Sequence, residues 1–498
     1  MKLVIIGGVA GGASAATRAR RLSEEAEIVL IERGLDVSFA NCGLPYHIGG
    51  EIADRKKLLV ITPERLHARF RLDVRVRSSA EAIDRAAKKI RIRDLASGRE
   101  YDETYDKLIL APGAAPLRPQ IPGIDLPGIF TLRNLEDMDR IKARVDKGVR
   151  QAVMIGAGFI GLELIENFVR RGIATTVVEK IDQVAPPFDK EMTTPIAQKL
   201  AASGVTLLFG RTAEAFEETP EGLVVRLNSG DALPAQLVVL GVGVRPENKL
   251  AVEAGLDVGT RGGIRVNEFL QTSDPDIFAV GDAIEVKDIV TGEPTQVPLA
   301  GPANRQGRIA ADNVFRRNVR YRGTQGTAIV GVFGLTAALT GASEKSLQRI
   351  NKSYRKVYVH PVNHAGYYPG AEQMTLKVLF EPESGRLLGA QAVGSAGVDK
   401  RIDVLAVAIQ AGMTVFDLEE MELAYAPQYG SAKAVNIPVD DLRSRLGELP
   451  GDREIAAYCQ VGQRGYVATR ILRQAGFNAA NVSGGYKTYE LYNPKVSK

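Results

Sequence analysis

Cysteine is scarce in this chain, with two residues in 498, Cys42 and Cys459. Two cysteines cannot build a disulfide framework, which points to a reducing, cytoplasmic compartment. No run approaches the ~18 consecutive apolar residues of a spanning helix, so no membrane segment is expected. The opening MKLVIIGG reads straight into a strand and leaves no room for a signal peptide. There is no dense Lys/Arg block, and the net charge is a mild +5. That balance favours an anionic small ligand over nucleic acid as partner. With 45% apolar and 25% charged residues there is no sign of extended disorder. The length is too great for one core and implies roughly three domains. Glycine, by contrast, is plentiful at 51 residues, which suits several glycine-rich turns.

The first such turn organises the N-terminus. Residues 3–6 read as a strand, followed by Gly7-Gly8-Val9-Ala10-Gly11-Gly12, a helix to about Leu22, and a strand over 28–31 closed by Glu32. Strand, glycine turn, helix, strand and acid open a dinucleotide fold. The glycines let the backbone approach a pyrophosphate, the helix N-terminus holds its charge, and Glu32 bonds a ribose hydroxyl. Val9 stands where the second glycine of the pattern belongs.

A second copy matches the pattern in full. A strand over 152–155 leads into Gly156-Ala157-Gly158-Phe159-Ile160-Gly161, then a helix, then a strand over 175–178 ending at Glu179. Glu179 would accept from the free 2′-hydroxyl of NAD and repel a 2′-phosphate, a preference tempered by the adjacent Lys180. Two such units define an α/β class with paired Rossmann-like domains. Between them, residues 105–113 form an apolar strand ending in the turn Ala111-Pro112-Gly113 and read as a crossing between domains. A later strand ends in Gly281-Asp282, where the carboxylate suits a ribityl chain or an ordinary helix cap, and a helix is expected over 298–313.

Cys42 lies in Ser38-Phe39-Ala40-Asn41-Cys42-Gly43-Leu44-Pro45-Tyr46, just before a short helix. The positive end of a helix dipole would favour its thiolate. Taken alone, the stretch fits equally a buried free cysteine packing as a small hydrophobe. From residue 324 the texture changes to alternating apolar runs (356–359, 375–380, 387–393) with a helix over 400–411, an antiparallel α+β unit. Two loops there carry tyrosines, Tyr367 and Tyr368 in one and Tyr425 in the other. Packing groups and acids both fit them. In the tail a strand over 455–458 runs into Cys459-Gln460-Val461-Gly462-Gln463-Arg464 and a helix, a cradle for an anion or persulfide in which Arg464 and the helix dipole lower the thiol pKa. A buried cysteine at a strand end is the other reading.

Together these residues resemble the flavin-dependent pyridine nucleotide–disulfide oxidoreductases, and within them the coenzyme A-disulfide reductase branch and the NAD(P)H-dependent polysulfide/persulfide reductases that carry a C-terminal rhodanese domain. The resemblance implies an FAD-binding domain over 1–112 and 245–323, with Gly7, Gly8, Val9, Ala10, Gly11, Gly12, Glu32, Arg33, Ala111, Gly113 and Asp282 as contacts. It implies an NAD(H)-binding domain over 113–244, with Gly156, Gly158, Phe159, Ile160, Gly161 and Glu179, NADH being preferred. A dimerisation domain over 324–433 and a homodimer are implied, followed by a rhodanese-like tail over 434–498. Cys42 is then the single redox cysteine, assisted by Tyr367 and Tyr425 of the partner subunit, with Tyr368 a rival for the first of these. Coenzyme A would be held by Ser14, Arg18, Arg21, Ser38, Asn41, Asn304 and Lys433. Arg18 and Arg21 share a helix face and would clamp phosphates. Where the family can use a lysine, this chain has Phe70, flanked by Arg69 and Arg71.

Two departures matter. Related peroxide- and oxygen-reducing enzymes carry a histidine in the first glycine turn, where this chain has Ala10. The linker and first half of the rhodanese unit are missing between Tyr429 and Pro438, so the tail is read as a remnant that packs on the reductase or stays loose. That makes sulfur transfer at Cys459, the candidate rhodanese cysteine, doubtful. Only one cysteine lies near the flavin by sequence, so the second sulfur comes from outside the chain. Electrons would pass from NADH through the flavin to Cys42 and on to polysulfide, coenzyme A persulfide or coenzyme A disulfide. The alternatives are an NADH oxidase and a flavin redox sensor that does not turn over.

Overall fold

The computed structural model describes residues 1–429 and 454–493. The chain gathers into two compact units, Met1–Val178 with Arg211–Thr324, and Glu179–Gly210 with the residues from Gln325 onward.

The first unit is built on two parallel sheets. In one, Lys2–Ile6 lies between Glu27–Ile31 and Lys107–Leu110, with Asp73–Arg75 and Ile277–Ala279 at the edges, every pair parallel. Its strands are apolar runs because both faces are covered: Leu3, Val4, Ile5, Val29, Leu30, Leu108 and Ile109 are all fully buried. In the other, Gln151–Ile155 lies between Ala174–Glu179 and Leu237–Leu240, with Ile129–Phe130 beyond.

Each central strand feeds a glycine turn and a helix. After Lys2–Ile6, Gly7 takes a φ of +100°, and helix Ala10–Leu22 follows. A Cβ on Gly12 would sit 1.8 Å from the Gly7 carbonyl oxygen, so the helix can close onto the turn only with glycine there. Val9 is harmless. As the helix N-cap it has φ −102° and ψ −169°, extended values open to a β-branched residue. Helix Ala300–Val314 crosses this helix glycine to glycine, since a Cβ on Gly307 would lie 2.1 Å from the Gly11 carbonyl.

The second unit holds a five-stranded antiparallel sheet in the order Ala328–Val332, Leu335–Gly341, Leu387–Gly394, Thr375–Phe380, Arg355–Val359. Helix Val398–Ala411 lies across it. The expected strands and helix of this region are all present, as is the α/β class of the whole. The side chain of Lys377, fully buried on its strand, ends among the carboxylates of Asp189, Glu191 and Glu344, with Asp189 Oδ2 at 2.7 Å.

Within the tail, Ile455–Ala457 pairs in parallel with Ala479–Asn481, flanked by helices Gln463–Gln474 and Gly485–Tyr492. Of the two fates expected for this segment, the described part takes the packed one. It seats on the edge strand Arg355–Val359: the Tyr358 amide donates to Ser483 Oγ at 3.0 Å, Tyr358 and Tyr492 share a hydroxyl contact of 2.7 Å, and His360 Nε2 lies 3.1 Å from Thr488 Oγ1. Thr194 Oγ1 donates to the Leu491 carbonyl at 2.7 Å. Burial pushes the His360 pKa down to about 4, so that contact is made by a neutral ring.

Candidate active site

The helices that follow the two glycine turns have no side-chain N-cap and no acidic residue in the first turn. With no acid at their N-termini, the helix dipoles favour an anion there, which is what a dinucleotide pyrophosphate requires. Glu32 grips the first turn, accepting from the Gly8 amide at 2.7 Å and the Gly34 amide at 2.7 Å. At the far end of the sheet, burial pushes the Asp282 carboxyl up to about 6, against the opposing pull of Arg133. A carboxyl so raised is stabilised by hydroxyl donors, and this donor set fits a flavin dinucleotide. At the second turn, a Cβ on Gly156 would lie 2.5 Å from the Gly241 carbonyl, and Ile160 is left 44% exposed on the helix that begins there.

Two residues that sequence reasoning missed brace this region. Glu247 bonds Arg133 Nη1 at 2.6 Å and Arg33 Nη2 at 3.1 Å. Arg133 also donates to the Pro112 carbonyl at 3.0 Å, while the Glu247 amide bonds the Gly113 carbonyl at 2.9 Å. Pro112 and Gly113 are thus tied to Arg33 through a carboxylate far away in sequence.

The Cys42 stretch is drawn to the first turn by the Ser38 amide, which donates to the Gly8 carbonyl at 2.9 Å. Ser38 itself has φ 47°, and Asn41 Nδ2 reaches the Arg133 carbonyl at 3.3 Å. Cys42 occupies a single 3₁₀ turn, Asn41–Gly43, ahead of the six-residue helix Leu44–Gly49. It is exposed, yet enough protein surrounds the sulfur for desolvation to push the thiol up, and the Glu163 carboxylate pushes it further. The expected lowering by the helix dipole is thereby overturned. The helix is short, and an acid from another helix opposes it. Glu163 lies on Phe159–Arg170, accepts from Tyr46 Oη at 3.4 Å, and is pushed up to about 7, first by burial and also by Glu166. The signal for it was present: two glutamates inside the largely apolar FIGLELIENF.

Of the expected coenzyme A contacts, Ser14 and Asn304 meet directly, Ser14 Oγ donating to Asn304 Oδ1 at 2.7 Å. The Arg18 guanidinium is held by Asp312 at 2.7 Å, whereas Arg21 is exposed. Arg20 between them is buried, bonding four backbone carbonyls. Phe70 packs against the core with Arg69 over its ring. Lys433 lies outside the described residues.

In the second unit, Tyr367 and Tyr425 are joined by hydroxyls 3.1 Å apart, on loops tied by the Ala365 amide to the Pro427 carbonyl. They are 76% and 58% exposed, and the hydrogen bond raises the Tyr367 pKa. Tyr368 instead meets the His364 ring edge-on at 5.5 Å, so Tyr367 is the partner. Glu179 bonds the Ile181 amide at 3.0 Å.

Cys459 is the converse of Cys42. Burial alone would push its thiol up, but the backbone N–H groups of Gly465, Val461, Arg464 and Gly462 outweigh that and lower it. Arg464 acts through its amide, its side chain being exposed. Iodoacetamide at pH 7 should therefore label Cys459 faster than Cys42, as read by peptide mass; the reverse order would contradict this assignment.

Two sheets with uncapped glycine-turn helices, and an exposed cysteine tied to the first turn, define a dinucleotide-dependent redox enzyme. The chain belongs to the pyridine nucleotide-disulphide oxidoreductase family, matching it over residues 1–307, its dimerisation domain over 327–435, and a rhodanese-like domain over 417–491. This is a family of FAD- and NAD(P)H-dependent enzymes. The coenzyme A disulfide reductase of Staphylococcus haemolyticus is 35% identical over 87% of this chain and 97% of its own. The structure of reduced CoADR-RHD from Bacillus anthracis aligns with a TM-score of 0.96 at 47% identity, covering 99% of this chain and 98% of that one. The NAD-dependent persulfide reductase of A. fulgidus aligns at 0.91 and 35% identity, over 98% and 100%. Among the described residues, no helix is long and apolar enough to cross a membrane.

Proposed function

We propose that the chain is an NAD(P)H-dependent reductase of sulfane sulfur or disulfide carried by coenzyme A, acting as a homodimer through Cys42. The observation that carries this reading is the cysteine inventory. Cys42 is tied to the flavin turn, and the one other cysteine of the chain, Cys459, lies in the tail. With no second thiol in the stretch, the disulfide partner has to arrive with the substrate. Bound FAD would supply a two-electron carrier between nicotinamide and sulfur. Cys42 thiolate attacks a sulfur of the acceptor: a Cys42 S–S bond forms as the acceptor's own S–S bond breaks. The leaving group is coenzyme A thiolate, from coenzyme A disulfide or on attack at the outer sulfur of coenzyme A persulfide, or a polysulfide one sulfur shorter. The hydrogen-bonded Tyr367 and Tyr425, contributed by the other copy of the homodimer, would deliver the proton to that leaving group. Ser14, Asn304 and Arg21 would orient the nucleotide end of coenzyme A, with Arg18 joining only where a phosphate displaces Asp312. The names of the Staphylococcus and A. fulgidus relatives support both acceptor classes.

Two measurements test this. Steady-state NADH oxidation is expected with coenzyme A disulfide, coenzyme A persulfide or polysulfide, and only slowly with oxygen alone. Intact mass is expected to show a coenzyme A-sized adduct on Cys42 that reductant removes. Rapid oxygen consumption without a sulfur acceptor would make the protein an oxidase, and one flavin reduction followed by arrest would make it a sensor.

A further inference from the structure

We infer that Lys400 and Arg401 are positioning residues that set the Tyr367–Tyr425 contact, each holding one of the two tyrosine loops. They stand side by side in the first turn of helix Val398–Ala411. Arg401 is turned into the protein and is 3% exposed. Its Nη2 donates to the Val362 carbonyl at 3.2 Å and to the Asn363 carbonyl at 3.0 Å, and its Nη1 donates to the Gly397 carbonyl at 3.1 Å. Val362 and Asn363 form the base of the Tyr367 loop, which closes where the Asn363 amide donates to the Glu372 carbonyl at 2.9 Å. Lys400 serves the other loop. Its Nζ donates to the Ala424 carbonyl at 3.4 Å, one residue before Tyr425. The two loops then join at the Ala365 amide and Pro427 carbonyl and at the two phenol hydroxyls.

Packing does not locate the tyrosine hydroxyls. Residues 363–372 and 421–429 contain no helix or strand, and both rings are exposed. A cavity of about 260 Å³ runs along Tyr425, lined by Lys400, Ala424, Ala426 and Tyr429. The backbone anchors are left to do the locating. The Arg401 anchor is held against a cost. Among the described residues no carboxylate bonds its guanidinium and its Nε has no partner, and burial pulls its pKa down with Asp399 alone opposing. A buried cation without a bonded counter-ion is destabilising. What offsets it here is the join it makes between the helix N-cap, Gly397, and the loop base.

The use of the two clamps in turnover rests on the reading above, in which the tyrosines give a proton to the leaving thiolate. The clamps themselves make and break no covalent bond. They act through the tyrosines, by keeping the donor hydroxyl within hydrogen-bond reach of the sulfur that needs it. A displacement of about 1 Å is enough to cost on the order of 10²-fold in rate. The geometry of the clamps, and their effect on the Tyr367–Tyr425 contact, stand without that reading.

The test compares Arg401→Met and Lys400→Met with wild type as full-length flavoproteins. The first readout is the pH profile of Tyr367 nitration by tetranitromethane, followed by peptide mass, and it needs no sulfur acceptor. The reagent attacks the phenolate. Loss of a clamp parts the two hydroxyls and removes the hydrogen bond that raises the Tyr367 pKa, so the midpoint is expected to fall by about half a unit or more. The second readout is turnover with two acceptors. Coenzyme A disulfide reduction should fall about 10- to 100-fold. Reduction of an aromatic disulfide, whose thiolate leaves without a proton, should fall far less. With Tyr367→Phe and Tyr425→Phe already in place, Lys400→Met should cost nothing further. An unmoved nitration midpoint would overturn the inference, as would equal losses with both acceptors. Should Arg401→Met not fold, Lys400→Met alone decides. Wild type turning over neither acceptor would sink the reductase reading, while a shifted nitration midpoint would leave the clamps standing.

Discussion

Cys42→Ser is expected to lower NAD(P)H-dependent reduction of every sulfur acceptor by about 10⁴-fold or more, the scale lost when a covalent nucleophile is removed. Serine keeps the shape of the turn but cannot form the reversible S–S bond, and its hydroxyl stays protonated at neutral pH. Flavin binding should survive, because the glycine turns and Asp282 are untouched. Anaerobic reduction of the flavin by NADH should therefore proceed at the wild-type rate in stopped flow while acceptor turnover vanishes. In wild type, the raised thiol means that thiolate is a minority near neutrality, so kcat/KM should climb with pH through the thiol midpoint. Retention of even a tenth of the acceptor activity in Cys42→Ser would put the reacting sulfur elsewhere, with Cys459 the first alternative.

Much of the fold could be read from the chain because parallel strands covered on both faces are nearly unbroken apolar runs. Residues 28–31 were expected as a strand and Glu27–Ile31 is one; residues 387–393 were expected and Leu387–Gly394 is one. The Val9 departure from the glycine pattern proved inert because its backbone is extended. Where the reading failed, the deciding residue lay far off in sequence. The Cys42 thiol was expected low from its local helix, but Glu163 faces it from a helix that pattern alone does not dock there. Arg18, expected to meet a phosphate, is paired with Asp312 from another helix, a partner that the local sequence does not announce. The tyrosine loops were visible, but only the hydroxyl contact between Tyr367 and Tyr425 separates Tyr367 from Tyr368.

Lys377 is the largest case of this kind, since nothing in TLKVLF marks its central cation as fully buried. Lys377→Met is expected to destabilise the protein by about 3–5 kcal/mol, because Asp189, Glu191 and Glu344 would be left facing one another without a counter-charge. The neighbouring carboxylates raise the Lys377 pKa above 10.5, so its stabilisation is fully present below pH 10.5 and is lost as pH rises through the folded value. Lys377 and its neighbours hold the Glu344 pKa down, so that share of stability is present above the ordinary carboxylate range and fades as pH falls through the lowered value. In Lys377→Met the sign reverses. Three crowded carboxylates take up protons on acidification, and the gap to wild type should narrow between pH 8 and pH 5 in urea unfolding. The tail should feel the loss as well, since Tyr358 Oη donates to Glu191 at 2.8 Å and shares its hydroxyl with Tyr492. Limited proteolysis within residues 454–493 should accelerate in the variant. Adding Glu191→Gln should recover part of the stability if charge is the cause, whereas a packing defect would leave it unrecovered. A loss below about 1 kcal/mol at pH 8 would mean that water reaches the cluster, and would contradict its burial.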